Sequence, residues 1–229
     1  MKKELFGVLC VATLFALLGW VRGVADAQTS GSQVFITWQA VGSYVPASYK
    51  DKALPGPTSL ILASVQVVSQ GKLVDLKNQL VYWYQDGTYL SGGTGAQSIT
   101  FTPGVSPPDT TELKVEIPNY SGGTLLHAVD IPIVQPVIVI KTPYLNNQFS
   151  DNPLTLTALP YFFNVPSPSA LVLSWSVNGQ TGASAENPYE AQITLPQGTS
   201  AGTTLSVALT AQNPLDATSA TASKVLTYE

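Results

Sequence analysis

Two stretches of this chain carry the same pattern. Val81-Tyr82-Trp83-Tyr84-Gln85-Asp86-Gly87 and Leu173-Ser174-Trp175-Ser176-Val177-Asn178-Gly179 each set a Trp in an alternating run that closes, three positions on, with Asp-Gly or Asn-Gly. Alternation puts successive side chains on opposite faces of a β-strand. Asp-Gly and Asn-Gly accept the positive φ angles of a type I′ turn, whose twist matches the strands it joins. The Trp adds a large block of apolar surface to one face. A strand running into a hairpin turn is therefore expected twice.

The repeat extends downstream. Gln97-Ser98-Ile99-Thr100-Phe101 and Leu113-Lys114-Val115-Glu116-Ile117 follow the first turn; Gln192-Ile193-Thr194-Leu195 and Leu205-Ser206-Val207-Ala208-Leu209 follow the second. Trp83 to Trp175 and Leu113 to Leu205 are both separations of 92 residues, which aligns Val115 with Val207. A period of about 90 to 100 residues is one β-sandwich, whereas solenoid units run about 20 to 50.

The Trp strand ending in Asp-Gly, followed by Leu113, Val115, Ile117, Asn119 and Gly122, resembles the immunoglobulin-like sandwich and also the bacterial PKD-like domain. Antibody-type domains carry Cys where this chain has Val115 and Tyr where it has Leu113, and Val207 and Leu205 repeat the departure. The resemblance implies an all-β chain of two tandem immunoglobulin-like β-sandwiches. It implies little about activity, because this architecture hosts unrelated functions.

The expected layout is a signal peptide at 1–27, a first sandwich at 28–135 and a second at 136–229. Lys2 and Lys3, the apolar run Leu5 to Val21, and Ala25-Asp26-Ala27 form the three parts of a secretory signal, cleaved before Gln28. Left uncleaved, the same run would be a short membrane anchor, the chain's one expected contact with a membrane. Ile131-Pro132-Ile133-Val134-Gln135-Pro136-Val137 joins the sandwiches without a Gly/Ser linker. Proline-rich joins are semi-rigid, so a stiff pair is expected.

Charge narrows the partners. Without residues 1–27 the chain keeps 7 basic and 12 acidic residues, a net charge of −5, and no cysteine. A mildly acidic chain with no basic stripe is unsuited to nucleic acid. An exported protein without disulfides must hold together by core packing.

Catalytic groups are scarce. His127 is the one histidine, it alternates with Leu125 and Val129, and no Gly-x-Ser-x-Gly elbow accompanies it. Asp130 and Asp151 flank the expected junction, but calcium needs six to eight oxygens and no Asp-x-Asp-x-Asp-Gly loop is present. The expectation is no enzyme, no resident metal and no cofactor.

Aromatic residues remain. Tyr82 and Tyr84 should face outward beside the inward Trp83, and Tyr89 follows the turn. Tyr44 and Tyr49 lie in Gln39 to Ser59, a connection that also holds Pro46, Pro55 and Pro57 and is longer than most. Tyr44, Tyr49, Tyr82 and Tyr84 are the candidate binding residues, with Gln39 to Ser59 either sharing that surface or folding over Tyr82 and Tyr84. The partner expected is a protein or a glycan at the cell surface, contacted through these rings or by strand pairing at a sheet edge. The compartment is extracellular, cell-surface or periplasmic. The first reading is an adhesive or spacer module of bacterial style; the second is a carbohydrate-binding accessory module.

Overall fold

The computed structural model describes residues 31–107, 109–144, 146–182 and 187–229. The expected signal segment lies outside them. The first half holds β1 (Ser32–Val41), β2 (Ser43–Tyr44), β3 (Leu60–Ser69), β4 (Lys72–Leu73), β5 (Leu80–Gln85), β6 (Thr88–Thr94), β7 (Ser98–Phe101), β8 (Asp109–Tyr120) and β9 (Gly123–Ile133). The second holds β10 (Val137–Lys141), β11 (Gln148–Phe149), β12 (Leu154–Tyr161), β13 (Phe163–Asn164), β14 (Val172–Val177), β15 (Gln180–Thr181), β16 (Glu190–Ile193), β17 (Thr204–Gln212) and β18 (Ser219–Tyr228). Among the described residues the only helical element is a single 3₁₀ turn at Pro168–Ala170.

Each half is a sandwich of two sheets. In the first, β3 lies between β1 and β7 and also pairs with β4, while the other sheet runs β6-β5-β8-β9. In the second, β10-β12-β16 faces β11-β18-β17-β14-β15. The first core draws Val34, Ile61, Ala63 and Val65 from one sheet and Val81, Trp83, Leu113, Val115 and Ile117 from the other. A second cluster, with Leu154, Leu156, Trp175, Val207 and Leu209, fills the other sandwich. The alternation read from sequence is thus the in-and-out pattern of half-buried strands.

Trp83 and Trp175 are interior, at 0% and 3% exposure. Burying about 150–250 Å² at about 25 cal/mol per Å² is worth roughly 4–6 kcal/mol for each. Their indole N–H groups are satisfied in matching ways. Trp83 Nε1 donates to the Ala96 carbonyl at 2.8 Å and Trp175 Nε1 to the Pro188 carbonyl at 3.0 Å, 13 residues on in both cases.

The turns are of the expected kind, with Asp86 and Gly87 at φ 48° and 78° and Asn178 and Gly179 at 50° and 79°. They also do something the turn chemistry alone does not require. The Asp86 N–H donates to the Glu112 carbonyl and its Oδ1 accepts from the Glu112 N–H, clipping the turn to β8. Asn178 makes the same two bonds with Ser206 of β17.

That clip exposes an error in the 92-residue alignment. Trp83 stands opposite Val115, but Trp175 stands opposite Leu209 rather than Val207. The structural counterpart of Val115 is therefore Leu209, and that of Leu113 is Val207, each two residues beyond the position that sequence spacing selects. A two-residue slip keeps every side chain on its own face, so alternation cannot reveal it.

Candidate functional site: a tyrosine face on the first sandwich

With Val81 and Trp83 turned inward, Tyr82 and Tyr84 project from the outer face of β5. A register shift between Trp83 and Tyr84 sets Tyr84 opposite Tyr89 on β6. The Tyr89 ring meets both others edge to face, its centroid 6.2 Å from that of Tyr82 and 5.9 Å from that of Tyr84. These are favourable aromatic geometries. Tyr89 is 54% exposed and the other two are half-buried.

Gly92, opposite Tyr82 on β6, makes room for this arrangement. A Cβ there would lie 2.4 Å from Tyr82 Cδ1 and 2.7 Å from the Val81 carbonyl oxygen. The Tyr82 ring therefore lies across bare backbone, the cross-strand pairing of an aromatic with a glycine.

On the next strand Glu116 faces Tyr82 and Lys114 faces Tyr84, with the Lys114 ammonium 4.6 Å from the Tyr84 ring centroid. The Tyr84 phenol is pushed above its usual pKa, first by desolvation and then by the charge of Glu116 and its hydrogen bond to that carboxylate. Leu126 and Ala128 of β9 extend the face beyond Glu116 and Lys114. The result is an aromatic floor with a polar rim carrying one acid and one base. Such a surface can stack on a flat partner and hydrogen-bond around it. The corresponding face of the second sandwich shows Ser174 and Ser176 opposite Thr210 and Ala208, with no aromatic ring among those four.

The structure does not bring all four candidate tyrosines together. Tyr44 sits in β2, opposite Phe163 of β13, and packs against the second core. Tyr49 meets Tyr161 and Phe162 edge-on at 5.9 and 5.7 Å. The Gln39 to Ser59 connection thus reaches the second sandwich, and the rings beside Tyr82 and Tyr84 are supplied by Tyr89 instead. Tyr89 and Gly92, like Lys114 and Glu116 at the rim, belong to the face without having been among the candidates. The hairpin turn was a signal for Tyr89, since it folds β6 back beside β5; for Gly92 there was none, because a β-bulge sets its register.

His127 lies on β9 opposite Val115 and is half-buried. Asp130 faces Glu112, and Asp151 accepts the Tyr144 hydroxyl at 2.6 Å, which raises the Tyr144 phenol to about 12. Among the described residues no three His, Cys, Asp or Glu side chains are grouped to hold a metal ion. No described helix is long and apolar enough to cross a membrane.

No protein-family model matches the chain, and no curated protein matches it. Solved structures similar to it include the fibronectin(III)-like modules of Clostridium thermocellum CbhA, 16% identical over 85% of this chain and 93% of that one, with a TM-score of 0.29. Another is the three N-terminal domains of the bacteriophage RB49 Highly Immunogenic Outer Capsid protein, 12% identical over 86% and 59%, with a TM-score of 0.45. A third is SGBP-B of a Bacteroides ovatus mixed-linkage glucan utilization locus, in complex with a mixed-linkage heptasaccharide, 16% identical over 82% and 48%, with a TM-score of 0.28. At such scores these likenesses carry nothing about ligand, partner or compartment.

Proposed function

We propose that this chain is an exported, non-enzymatic interaction module of two sandwiches, 28–135 and 136–229, in which the tyrosine face of the first contacts a protein surface and the second serves as a stiff spacer. The observation that carries the reading is the grouping of Tyr82, Tyr84 and Tyr89 on one outer sheet face over Gly92, framed by Lys114 and Glu116. Interfaces are enriched in tyrosine, whose ring offers contact area and whose hydroxyl offers a hydrogen bond. The secretory pattern of residues 1–27 supports export, with the surface of a bacterial cell as the place of work.

A glycan is the second reading, favoured by the bare backbone at Gly92 beside the rings and by the polar rim. One experiment separates the two. The purified protein and its Tyr82→Ala/Tyr84→Ala variant are compared on protein-coated surfaces and in gels containing soluble polysaccharides. Protein adhesion that ignores added sugar and falls at least about 30-fold in the variant supports the first reading, since an aromatic hot spot is worth about 2 kcal/mol or more. Retardation by polysaccharide that the variant loses replaces it with the second. Unchanged binding in the variant removes the face from both.

A further inference from the structure

We infer that residues 43–59 are a lock between the sandwiches, holding them at one mutual orientation and making them unfold as one unit. This inference is independent of what the tyrosine face binds.

Three residues, Val134-Gln135-Pro136, join β9 to β10. A single short crossing leaves two domains free to swing unless other contacts hold them. The strap supplies a second contact: it leaves the first sandwich after β1, pairs with the second through β2 and returns to β3 of the first. β2 pairs with β13, so that Ser43 faces Asn164 and Tyr44 faces Phe163. The Phe162 N–H donates to the Tyr44 carbonyl at 2.6 Å, Asn164 Nδ2 donates to the Thr58 carbonyl at 3.2 Å, and the Thr58 hydroxyl donates to Asp216 Oδ2 at 2.6 Å. Tyr44 packs on the second core, and Tyr49 lies against Tyr161 and Phe162.

Each side of this contact is also held by bonds of its own. The strap is stiffened by the Ser43 hydroxyl donating to the Leu54 carbonyl and by the Tyr49 N–H donating to the Pro46 carbonyl. Lys52 lies over the Trp38 ring at 3.2 Å, tying the strap to its own sandwich, and the Val134 N–H donates to the Pro55 carbonyl, tying it to the linker. On the far side, the fully buried Asn213 donates from Nδ2 to the Asn164 carbonyl, linking β13 to the loop after β17. Thr218 donates to Asp216 from both its N–H and its hydroxyl.

The backbone records the coupling. Phe162 is held at φ 62°, a left-handed conformation that costs a bulky residue about 1–2 kcal/mol. Its N–H is the group bonded to the strap, and its ring packs on Tyr49. Such strain persists only where the surroundings over-determine it. Gly42, at φ 81°, brings the strap within reach of Asn164, where a Cβ would lie 2.9 Å from its Oδ1. Losing the strap would release Phe162 and open the loop end of the second sandwich.

The test uses the whole chain in a Cys10→Ser background. Spin labels at Thr88→Cys and Ser223→Cys, one exposed site on each sandwich, report the separation of the two. A single narrow distance distribution is expected, together with one calorimetric transition. In the Tyr44→Ala/Thr58→Ala variant the distribution should broaden and the transition split in two. Hydrogen exchange at residues 162–165 and 213–216 should then quicken about tenfold or more, while β5 and β8 stay protected. Tyr49→Ala is the milder variant if the double change prevents folding, and should broaden the distribution in the same direction. Tyr82→Ala/Tyr84→Ala should leave both readouts unchanged. A broad distribution or two transitions in the unaltered protein would overturn the lock. So would a strap variant that keeps the narrow distribution and the single transition.

Discussion

Adding one methyl group at Gly92 should damage the tyrosine face without touching a tyrosine. The new Cβ would stand 2.4 Å from Tyr82 Cδ1, 2.7 Å from the Val81 carbonyl oxygen and 3.0 Å from Tyr82 Cα. Ordinary contacts between carbon atoms fall near 3.5–4.0 Å, so the ring must swing away and β6 must also move off β5. Overpacking of this kind costs about 1–3 kcal/mol. For two sandwiches melting together, roughly 2–4 °C per kcal/mol gives a fall in Tm of about 2–12 °C for Gly92→Ala. The ring share of that cost can be isolated. In Gly92→Ala/Tyr82→Ala the clash with the ring disappears while those with the Val81 carbonyl and Tyr82 Cα remain, so stability should recover in part and not in full. Urea unfolding of the parent, the two single variants and the double variant forms a thermodynamic cycle, with an expected coupling of about 0.5–3 kcal/mol in the compensating direction. Additive effects across the cycle would refute the reasoning, because Gly92 would then be required by the backbone alone. Partner binding in Gly92→Ala should fall alongside that of the Tyr82 variant.

Three further outcomes follow from named contacts. Asp86→Asn keeps an acceptor for the Glu112 N–H, as Asn178 does for Ser206, but sets an amide NH2 that cannot accept against the buried Thr111 hydroxyl and should cost about 0.5–1.5 kcal/mol, whereas Asp86→Ala, which abandons the bonds from both Thr111 and Glu112, should cost about 1–3 kcal/mol by urea denaturation. Burial raises the Asp216 carboxyl, but hydrogen bonds from Thr58 and Thr218 outweigh it and leave the pKa below the ordinary 3.8. A depressed carboxyl stabilises the fold above its unfolded value and loses that contribution as pH falls through the folded one. Tm measured from pH 6 downward should therefore fall more steeply below about pH 4 in the parent than in Asp216→Asn; parallel curves would contradict this. Trp83→Ala and Trp175→Ala should each cost about 3–5 kcal/mol by urea denaturation.

Much of the sandwich architecture was legible because its signals are local. Alternation at Leu113 to Ile117 assigns faces within five residues, and Asp86-Gly87 and Asn178-Gly179 select their turns from two residues each. The outward placement of Tyr82 and Tyr84 follows from the same alternation once Trp83 is inward. Tyr89 is adjacent in sequence and falls beside them through the hairpin.

Alternation and turn chemistry together determined, from sequence alone, the all-β class, the inward face of the two Trp strands and the outward face that carries Tyr82 and Tyr84. Only the tertiary structure decided the pairing that lies beyond local chemistry. The match of Val115 with Leu209 depends on interstrand register, and a slip of two residues leaves every face unchanged. The strap was visible as an overlong, proline-rich connection, yet its partners Asn164 and Asp216 lie 106 and 158 residues from Thr58. Hydrogen bonds of that span leave no periodic trace in a sequence, because periodicity reports only which face of its own strand a residue occupies.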